Sequence, residues 1–523
     1  MKDKKQIWGK IQEININLKL RFLPLIFWYN WTSINKNALT RKKDNNNIMG
    51  ISHLILGVKI MEKVMYTAIA VFQVFAFVVL CYYLILGLFG TYRKKEKKDY
   101  APKRKFAMIV AAHNEEVVIG KLVKSILGQN YPKELFEVFV IADNCDDNTS
   151  KVAKEAGAKV FERFNKDQRG KGYALEWMFD KIYNMDEKFD AICIFDADNL
   201  VHPDFLKEIN SKMKEGYKVV QGYIDSKNPE DSWIATSYSI AFWSQNRMFQ
   251  LARNNVGFSN QIGGTGFAID FDTLKKFGWG ATCLTEDLEF TCKVVLNGGK
   301  IGWAHDAKIY DEKPLGLKAS WVQRRRWMQG FTDVASRYFF KLVKKAIKER
   351  KWYIFDCALY VLQPFATLLM AISAILTLIQ ANAPKGANIF IMSDLLGSAG
   401  YQAITLVQFV ITPLVLILDK KISKGLFALI VLFSTNIFIM PILLEGVTDG
   451  LIITAANFGF YAIFLVATFI FCGKKGLVFF FRFLLYALYT VTWVPITIQG
   501  ILRKNNKEWN PTKHVRNVEI CDV

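Results

Sequence analysis

The chain has 523 residues, 68 Lys+Arg against 47 Asp+Glu for a formal charge of +21, 52% hydrophobic and 14% aromatic residues, and a mean hydropathy of +0.15. Charged residues still make up 22%, an ordinary globular share, so apolar and charged residues must occupy separate blocks. That excludes a single soluble globule, a disordered chain and a disulfide-stapled secreted domain, and indicates a membrane protein with a large water-exposed domain.

Residues 1–63 form an N-terminal amphipathic region. Leu20–Trp31 is aromatic but interrupted by Arg21 and Pro24 and too short to span. It reads as an interfacial segment, with a poorly ordered leader, or a start at Met49 or Met61, as the alternative. No cleavable signal-peptide pattern is present. Val64–Phe89 carries no charge and can cross an apolar core of about 30 Å, so 64–90 is assigned as a transmembrane helix. Arg93-Lys94-Lys95-Glu96-Lys97-Lys98 follows it. A basic flank beside an apolar run marks the cytoplasmic face of the plasma membrane and contact with lipids, not a nucleic-acid partner.

From 91 to 330 the period changes. Phe106–Ala111, Phe136–Ala142, Ala158–Glu162 and Ala191–Phe195 read as strands, separated by helices over Glu115–Gln129, Asn148–Ala156 and Gly172–Ile182. The alternation predicts an α/β domain with a parallel sheet covered on both faces, and ligands beyond the carboxyl ends of the strands. Those ends carry His113-Asn114-Glu115-Glu116, Asp143-Asn144-Cys145-Asp146-Asp147 and Asp196-Ala197-Asp198. Asp147 and Asn148 suit helix N-caps. Alternate residues at a strand end, Asp196 and Asp198, can turn two carboxylates toward one hard cation.

Residues 331–350 read as an interfacial helix, with Arg324 or Arg325 just before it partly on a basic membrane surface. Within a membrane region 351–502, four apolar runs follow: Cys357–Gln380, Gly397–Leu418, Gly425–Leu444 and Leu451–Cys472. A further run, Gly476–Ile501, contains Arg482 and Pro495. Five crossings after the domain would put the basic tail 503–523, with Arg503, Lys504, Lys507, Lys513 and Arg516, on the far side, against the positive-inside rule. Gly476–Ile501 is therefore expected to bend at Pro495 without crossing. The eight cysteines form no CxxC pair and the five histidines are isolated, which argues against a zinc site or disulfide framework.

Asp143, Asp196-Ala197-Asp198, Thr285-Glu286-Asp287 and Gln323-Arg324-Arg325-Arg326-Trp327 stand in that order on an α/β domain between apolar spans. The set resembles the inverting family 2 glycosyltransferases, specifically the processive membrane-embedded cellulose, hyaluronan and poly-N-acetylglucosamine synthases. The resemblance implies an α-helical membrane protein with an inserted cytosolic GT-A, Rossmann-like domain, the last spans forming a polysaccharide channel. It implies Mg2+ or Mn2+ at Asp196 and Asp198, and a UDP-sugar donor contacted by Asn114, Glu115, Asp143, Lys171, Gln323 and Arg326. Asp287 would be the general base, and Gly264, Thr265, Glu286 and Trp327 would meet the acceptor, a growing polysaccharide. Asp287 could otherwise cap a helix Leu288–Leu296, and Lys171 could be a solvated turn lysine.

The sequence departs from the family where Asn144 follows Asp143 and where the gating pattern FxVTxK is absent. The stretch from Tyr223 to Asp287 looks most like Gram-positive β-glucan synthases, which implies UDP-glucose and a cellulose-like or mixed (1,3;1,4)-linked product. A poly-N-acetylglucosamine or hyaluronan-type synthase, a non-processive transferase to a lipid and a non-catalytic scaffold are the alternatives. Homo-oligomerisation is compatible with each.

Overall fold

The computed structural model describes residues 48–280, 283–382, 389–505 and 514–523. Leu20–Trp31, Lys507 and Lys513 lie outside the described residues. The chain divides into two compact units, Met1–Ile69 and Ala70–Val523. A single helix, Ile48–Leu88, carries the first apolar run. Everything below concerns the second unit.

Its centre is an eight-stranded sheet: β1 (Phe106–Ala112), β2 (Phe136–Asp143), β3 (Lys159–Arg163), β4 (Ala191–Asp196), β5 (Leu200–Val201), β6 (Val219–Ser226), β7 (Phe267–Asp270) and β8 (Ile301–Asp311), in the order β3-β2-β1-β4-β7-β6-β8-β5. The first four strands of that order run parallel. β7 is antiparallel to both β4 and β6, and β5 is antiparallel to β8, so the sheet is mixed where an all-parallel one was expected. The near-continuous apolar reading of β1 follows from burial on both faces. Phe106, Met108 and Val110 pack with Leu122, Val123 and Ile126, while Ala107 and Ile109 pack with Leu175, Met178 and Phe179. Truncating Phe179 to alanine in this core would cost about 3–5 kcal/mol.

Because β1, β2 and β4 point the same way, the turns after them converge on one edge. The β6–β8 pairing slips between Gly222 and Tyr223. A Cβ on Gly222 would stand 2.5 Å from the Ala307 carbonyl oxygen, so this close approach admits only glycine.

One helix, Leu317–Glu349, runs through the boundary expected at 330. Nothing in that stretch is a helix breaker except Gly330, which an interior turn tolerates. The run Cys357–Gln380 is divided, with helices Trp352–Val361 and Gln363–Asn382. Pro364 explains the division, since proline suits the first turn of a helix but not its interior. Helices Met392–Leu418, Lys424–Leu443 and Gly450–Val491 follow, the last broken at Gly473 (φ 65°), and a short helix Trp493–Leu502 ends the bundle. By length and composition, five helical segments among the described residues can cross a membrane.

The bend in the last apolar run falls at Thr492, just before the helix that carries Pro495 in its first turn. That helix lies along Leu317–Glu349: Trp321 Nε1 donates to Gln499 Oε1 (2.9 Å) and Gln329 Nε2 to the Arg503 carbonyl (2.9 Å). Arg482 donates to the Glu230 carbonyl of the α/β domain. These contacts tie the last apolar run to the α/β domain. Arg324 is not on a membrane surface. It is fully buried, donates to Thr492 Oγ1 (2.9 Å) and stacks 4.1 Å from the Tyr489 ring centroid.

Candidate active site

All the candidate residues except Asn114 line one cavity of about 660 Å³ at the convergent edge of the sheet. Asn114 adopts a left-handed backbone (φ 56°), and its side chain is spent on Asp146, whose N–H it accepts at 3.0 Å. It shapes the turn after β1 and does not reach the cavity, contrary to its expected donor contact.

At the strand ends each carboxylate has a fixed partner. Asp143, at the end of β2, accepts from Arg163 Nη1 (2.6 Å) and Asn144 Nδ2 (3.0 Å), and Arg163 is itself buried. Lys171 opens the helix Lys171–Tyr183 and bonds both Asp196 Oδ1 and the Gly264 carbonyl oxygen (2.6 Å). It is thus no solvated turn lysine. Burial alone would lower its pKa, but Asp196 and Glu286 outweigh that and raise it, so the ammonium stays charged. Asp198 accepts the Glu312 N–H (3.0 Å) and faces His514 Nε2 at 3.8 Å. Burial pushes its carboxyl up, yet His514 and Lys227 win and hold it below the ordinary range.

Two carboxylates at one strand end, with the Asp196 side chain 41% exposed toward the cavity, are a hard, all-oxygen donor pair. No cluster of three or more His, Cys, Asp or Glu in metal-holding geometry occurs among the described residues. That donor set fits Mg2+ or Mn2+ completed by phosphate oxygens and water, a mode that needs only one or two protein carboxylates.

Asp287 is not a cap. Thr285 occupies the N-cap of the helix Glu286–Leu296, and Glu286 and Asp287 sit in its first turn, where the helix dipole favours carboxylates. A Cβ built on Gly264 would lie 3.5 Å from Asp287 Oδ2, so the glycine loop runs directly beside it. Burial, then the neighbouring Glu286 charge, pushes the Asp287 carboxyl up to about 7. A carboxylate poised there suits proton abstraction near neutrality. Thr265 has a different use from the acceptor contact expected of it: it is buried, its hydroxyl is held by Asn199, and it accepts the Asp196 N–H (3.0 Å), fixing the turn that carries the two aspartates.

The helix Leu317–Glu349 supplies the opposite wall. Gln323 Oε1 accepts from Tyr238 Oη (2.9 Å). Arg326 lines the cavity with its Nε buried and without a protein partner, a donor left for a ligand. Trp327 contacts Tyr238 (centroids 6.0 Å apart), Phe242 (6.2 Å) and Trp493 (6.4 Å, stacked). Gly330 lets this helix approach the Asp287 helix, since a Cβ there would sit 2.4 Å from Thr285. Arg337 locks the two together by a bidentate bond to Glu289 (2.8 and 2.9 Å).

Several lining residues escaped the sequence. His514 Nδ1 bonds Glu115 Oε1 (2.8 Å) across 399 positions, and Val515 and Arg516 donate their N–H groups to Glu312 (3.0 and 3.1 Å). Burial would lower the His514 pKa, but Asp198 and Glu115 raise it to about 9. Residues 514–516 thereby close the strand-end side of the cavity. No spacing rule could link it to Glu115, but Asp311-Glu312, at the end of β8, was findable by the strand-end rule once β8 was recognised. The cavity is also lined by Gln245, Asn246, Met248, Phe249 and Gln250 from a π-helical stretch, Gln245–Leu251, a rare form frequent at functional sites.

Proteins similar to this chain include glycosyltransferases. Residues 102–330 match the family described as "Glycosyltransferase like family 2". The chain is 29% identical over 263 residues to the "Probable glycosyltransferase YdaM" of Bacillus subtilis (strain 168), covering 48% of this chain and 61% of that protein. It is 29% identical over 281 residues to a Nostoc "Beta-monoglucosyldiacylglycerol synthase", covering 51% and 58%. With the "Poly-beta-1,6-N-acetyl-D-glucosamine synthase" of Staphylococcus aureus (strain COL) it shares 26% identity over 242 residues, covering 45% and 57%. The match thus spans about six tenths of these relatives' length. Among solved structures, the mannosyltransferase PcManGT from Pyrobaculum calidifontis, in complex with GDP-Man and Mn2+, aligns with TM-score 0.47 at 17% identity over 69% of this chain and 98% of that one. Residues 102–330 are thus similar to family 2 glycosyltransferases, and they fold as the mixed α/β domain described above.

Proposed function

We propose that this chain is a family 2 glycosyltransferase that takes a UDP-sugar at the strand ends of its α/β domain and extends a β-linked polysaccharide, a glucan, at the mouth of its own membrane helices. One observation carries the reading: the cavity that holds Asp196, Asp198 and Asp287 continues past Trp327 to Tyr360 and Gln363, where the helices after the domain begin. Donor chemistry and a route toward the membrane region share one space.

In this reading Asp143 and Glu115 meet the uridine, while Lys171 and Arg326 face the diphosphate. A guanidinium fork suits phosphate oxygens and is positioned before charge develops. A bound Mg2+ or Mn2+, held by Asp196 and Asp198, would neutralise the diphosphate. The terminal sugar of the acceptor lies against the Trp327 face, whose indole offers an apolar platform. Asp287 takes the proton of its attacking hydroxyl. The oxygen approaches opposite the leaving diphosphate, so an α-linked donor gives a β-linked product. The domain faces the cytosol, where the nucleotide sugar is available.

A second reading has its own support. The cavity is also lined by Met248, Phe249, Met328 and Phe331, and a relative is named as a glucosyldiacylglycerol synthase. Such a lining suits an acceptor with acyl chains. Purified protein with radiolabelled UDP-glucose or UDP-N-acetylglucosamine separates the two. Label in an aqueous or insoluble fraction released by a linkage-specific β-glucanase supports the polymer. Label extracted into chloroform–methanol supports the lipid acceptor, and hydrolysis of the donor without either product contradicts both.

A further inference from the structure

The distal half of the helix Leu317–Glu349 carries two apolar faces, and among the described residues only one of them is packed. Leu342 and Ala346 turn inward and pack with Tyr353, Ile354, Cys357 and Ala358. On the other side Phe340 is 80% exposed, Ile347 71% and, just past the helix, Trp352 71%. Lys341, Lys344 and Lys348 are exposed as well. At 3.6 residues per turn, Phe340, Lys341, Lys344, Ile347 and Lys348 fall within an arc of about 120°.

The lysines in this arc, like Lys420, Lys424, Lys474 and Lys475, lack among the described residues the carboxylate partner that some other basic residues flanking the apolar runs have. Arg93 is paired with Asp306 (2.7 Å), Lys98 with Glu208 (2.6 Å) and Lys421 with Asp225 (2.6 Å). Lys345 and Lys351 share Glu349. Among the described residues, Lys341, Lys344 and Lys348 have no carboxylate within 4.0 Å. Alternating large apolar and cationic side chains on one uncovered face suit neither a protein core nor free water. The apolar groups lose free energy in water, while lysine stems can lie along an apolar surface with their ammonium groups at its edge. The chain turns at Arg350 (φ 54°) and enters Trp352–Val361 and then the span-length helix Gln363–Asn382. The face therefore lies only a few residues from a membrane-crossing segment.

We propose that this face docks on the surface of a bilayer and selects anionic phospholipid headgroups, with Phe340, Ile347 and Trp352 inserted at the headgroup level and Lys341, Lys344 and Lys348 pairing with phosphates. The helix also carries Arg326 and Trp327 near its start, so the docking anchors the catalytic wall at a fixed depth. The proposal does not depend on the donor or the product, only on the chain lying in a membrane.

The test uses the full chain in nanodiscs of phosphatidylcholine doped with either brominated phosphatidylglycerol or brominated phosphatidylcholine. Bromine quenches indole fluorescence on contact. The Trp352 signal is taken as the difference between wild type and Trp352→Phe. The expected result at low salt is about twofold or more stronger quenching of Trp352 by the brominated anionic lipid, reduced by salt. In the Lys341→Gln, Lys344→Gln, Lys348→Gln triple variant, with sugar transfer in detergent confirming its fold, the two lipids should quench alike. Equal quenching by both lipids in the wild type overturns the headgroup selection. No quenching of Trp352 by either overturns the docking itself and leaves a protein partner as the occupant of the face.

Discussion

In the proposed reading the cavity has a donor half and an acceptor half, and the two are built from different materials. On the donor side, carboxylates at the ends of β1, β2 and β4 are each held by a cation: Asp143 by Arg163, Asp196 by Lys171, and Glu115 and Asp198 by His514. On the acceptor side, Tyr238, Phe242, Trp327, Tyr489 and Trp493 pack ring against ring between helices. The first half is a matter of charge at fixed points, the second of apolar area. Asp287 stands where they meet. Damage to one half should therefore leave the other measurable.

The largest effect is expected where the halves join. Asp287→Asn should lower sugar transfer by about 10²–10⁴-fold while calorimetry still records UDP binding. Unchanged transfer would remove Asp287 as the base. Next, Arg326→Ala should cost about 10²–10³-fold in kcat, with Arg326→Lys recovering little because a point charge cannot replace the fork. Acceptor KM in these variants should stay near the wild-type value. If it rises in step with the loss of kcat, the line between the halves is misplaced.

The pH profile offers a subtler cut. The Asp287 carboxyl lies near 7, and the base works only when deprotonated. Transfer should therefore climb about tenfold between pH 6 and pH 8, with the limb retained in Trp327→Ala. The linked stability runs the other way. A carboxyl raised above its unfolded value contributes stability that is complete below about pH 4 and is lost as the pH rises through about 7. Trp327→Ala itself should raise acceptor KM by about tenfold or less, consistent with the loss of a ring contact of about 1 kcal/mol, and leave donor hydrolysis intact. Equal losses of hydrolysis and transfer would show that Trp327 is not an acceptor platform.

The two halves also differ in how well they could be read from sequence. β1, β2 and β4 are short, nearly continuous apolar runs that lead into carboxylates, and two-sided burial writes that pattern directly. β6 is equally buried but reads Val-Val-Gln-Gly-Tyr-Ile-Asp-Ser. Its polar residues are satisfied within the fold: Gln221 donates to the Thr265 carbonyl (2.9 Å), and Asp225 accepts from Trp243 Nε1 (2.7 Å). No apolar period marks it, and the antiparallel β7 beside it is only four residues long, too short to show a period. The motif residues were legible as chemistry, yet Asn114 and Thr265 are consumed by turns that only backbone conformation reveals. His514 reads as isolated because its partners Glu115 and Asp198 are distant in sequence, although they lie beside it in space.

The claim that both halves serve one reaction is tested most directly by an experimental structure with UDP, Mn2+ and a short glucan, located by manganese anomalous scattering. The account predicts the metal at Asp196 and Asp198, the diphosphate against Arg326, and the glucan terminus on Trp327 with its free hydroxyl facing Asp287. A metal bound elsewhere, or a glucan end that reaches the protein on the diphosphate side of Asp287, would contradict it.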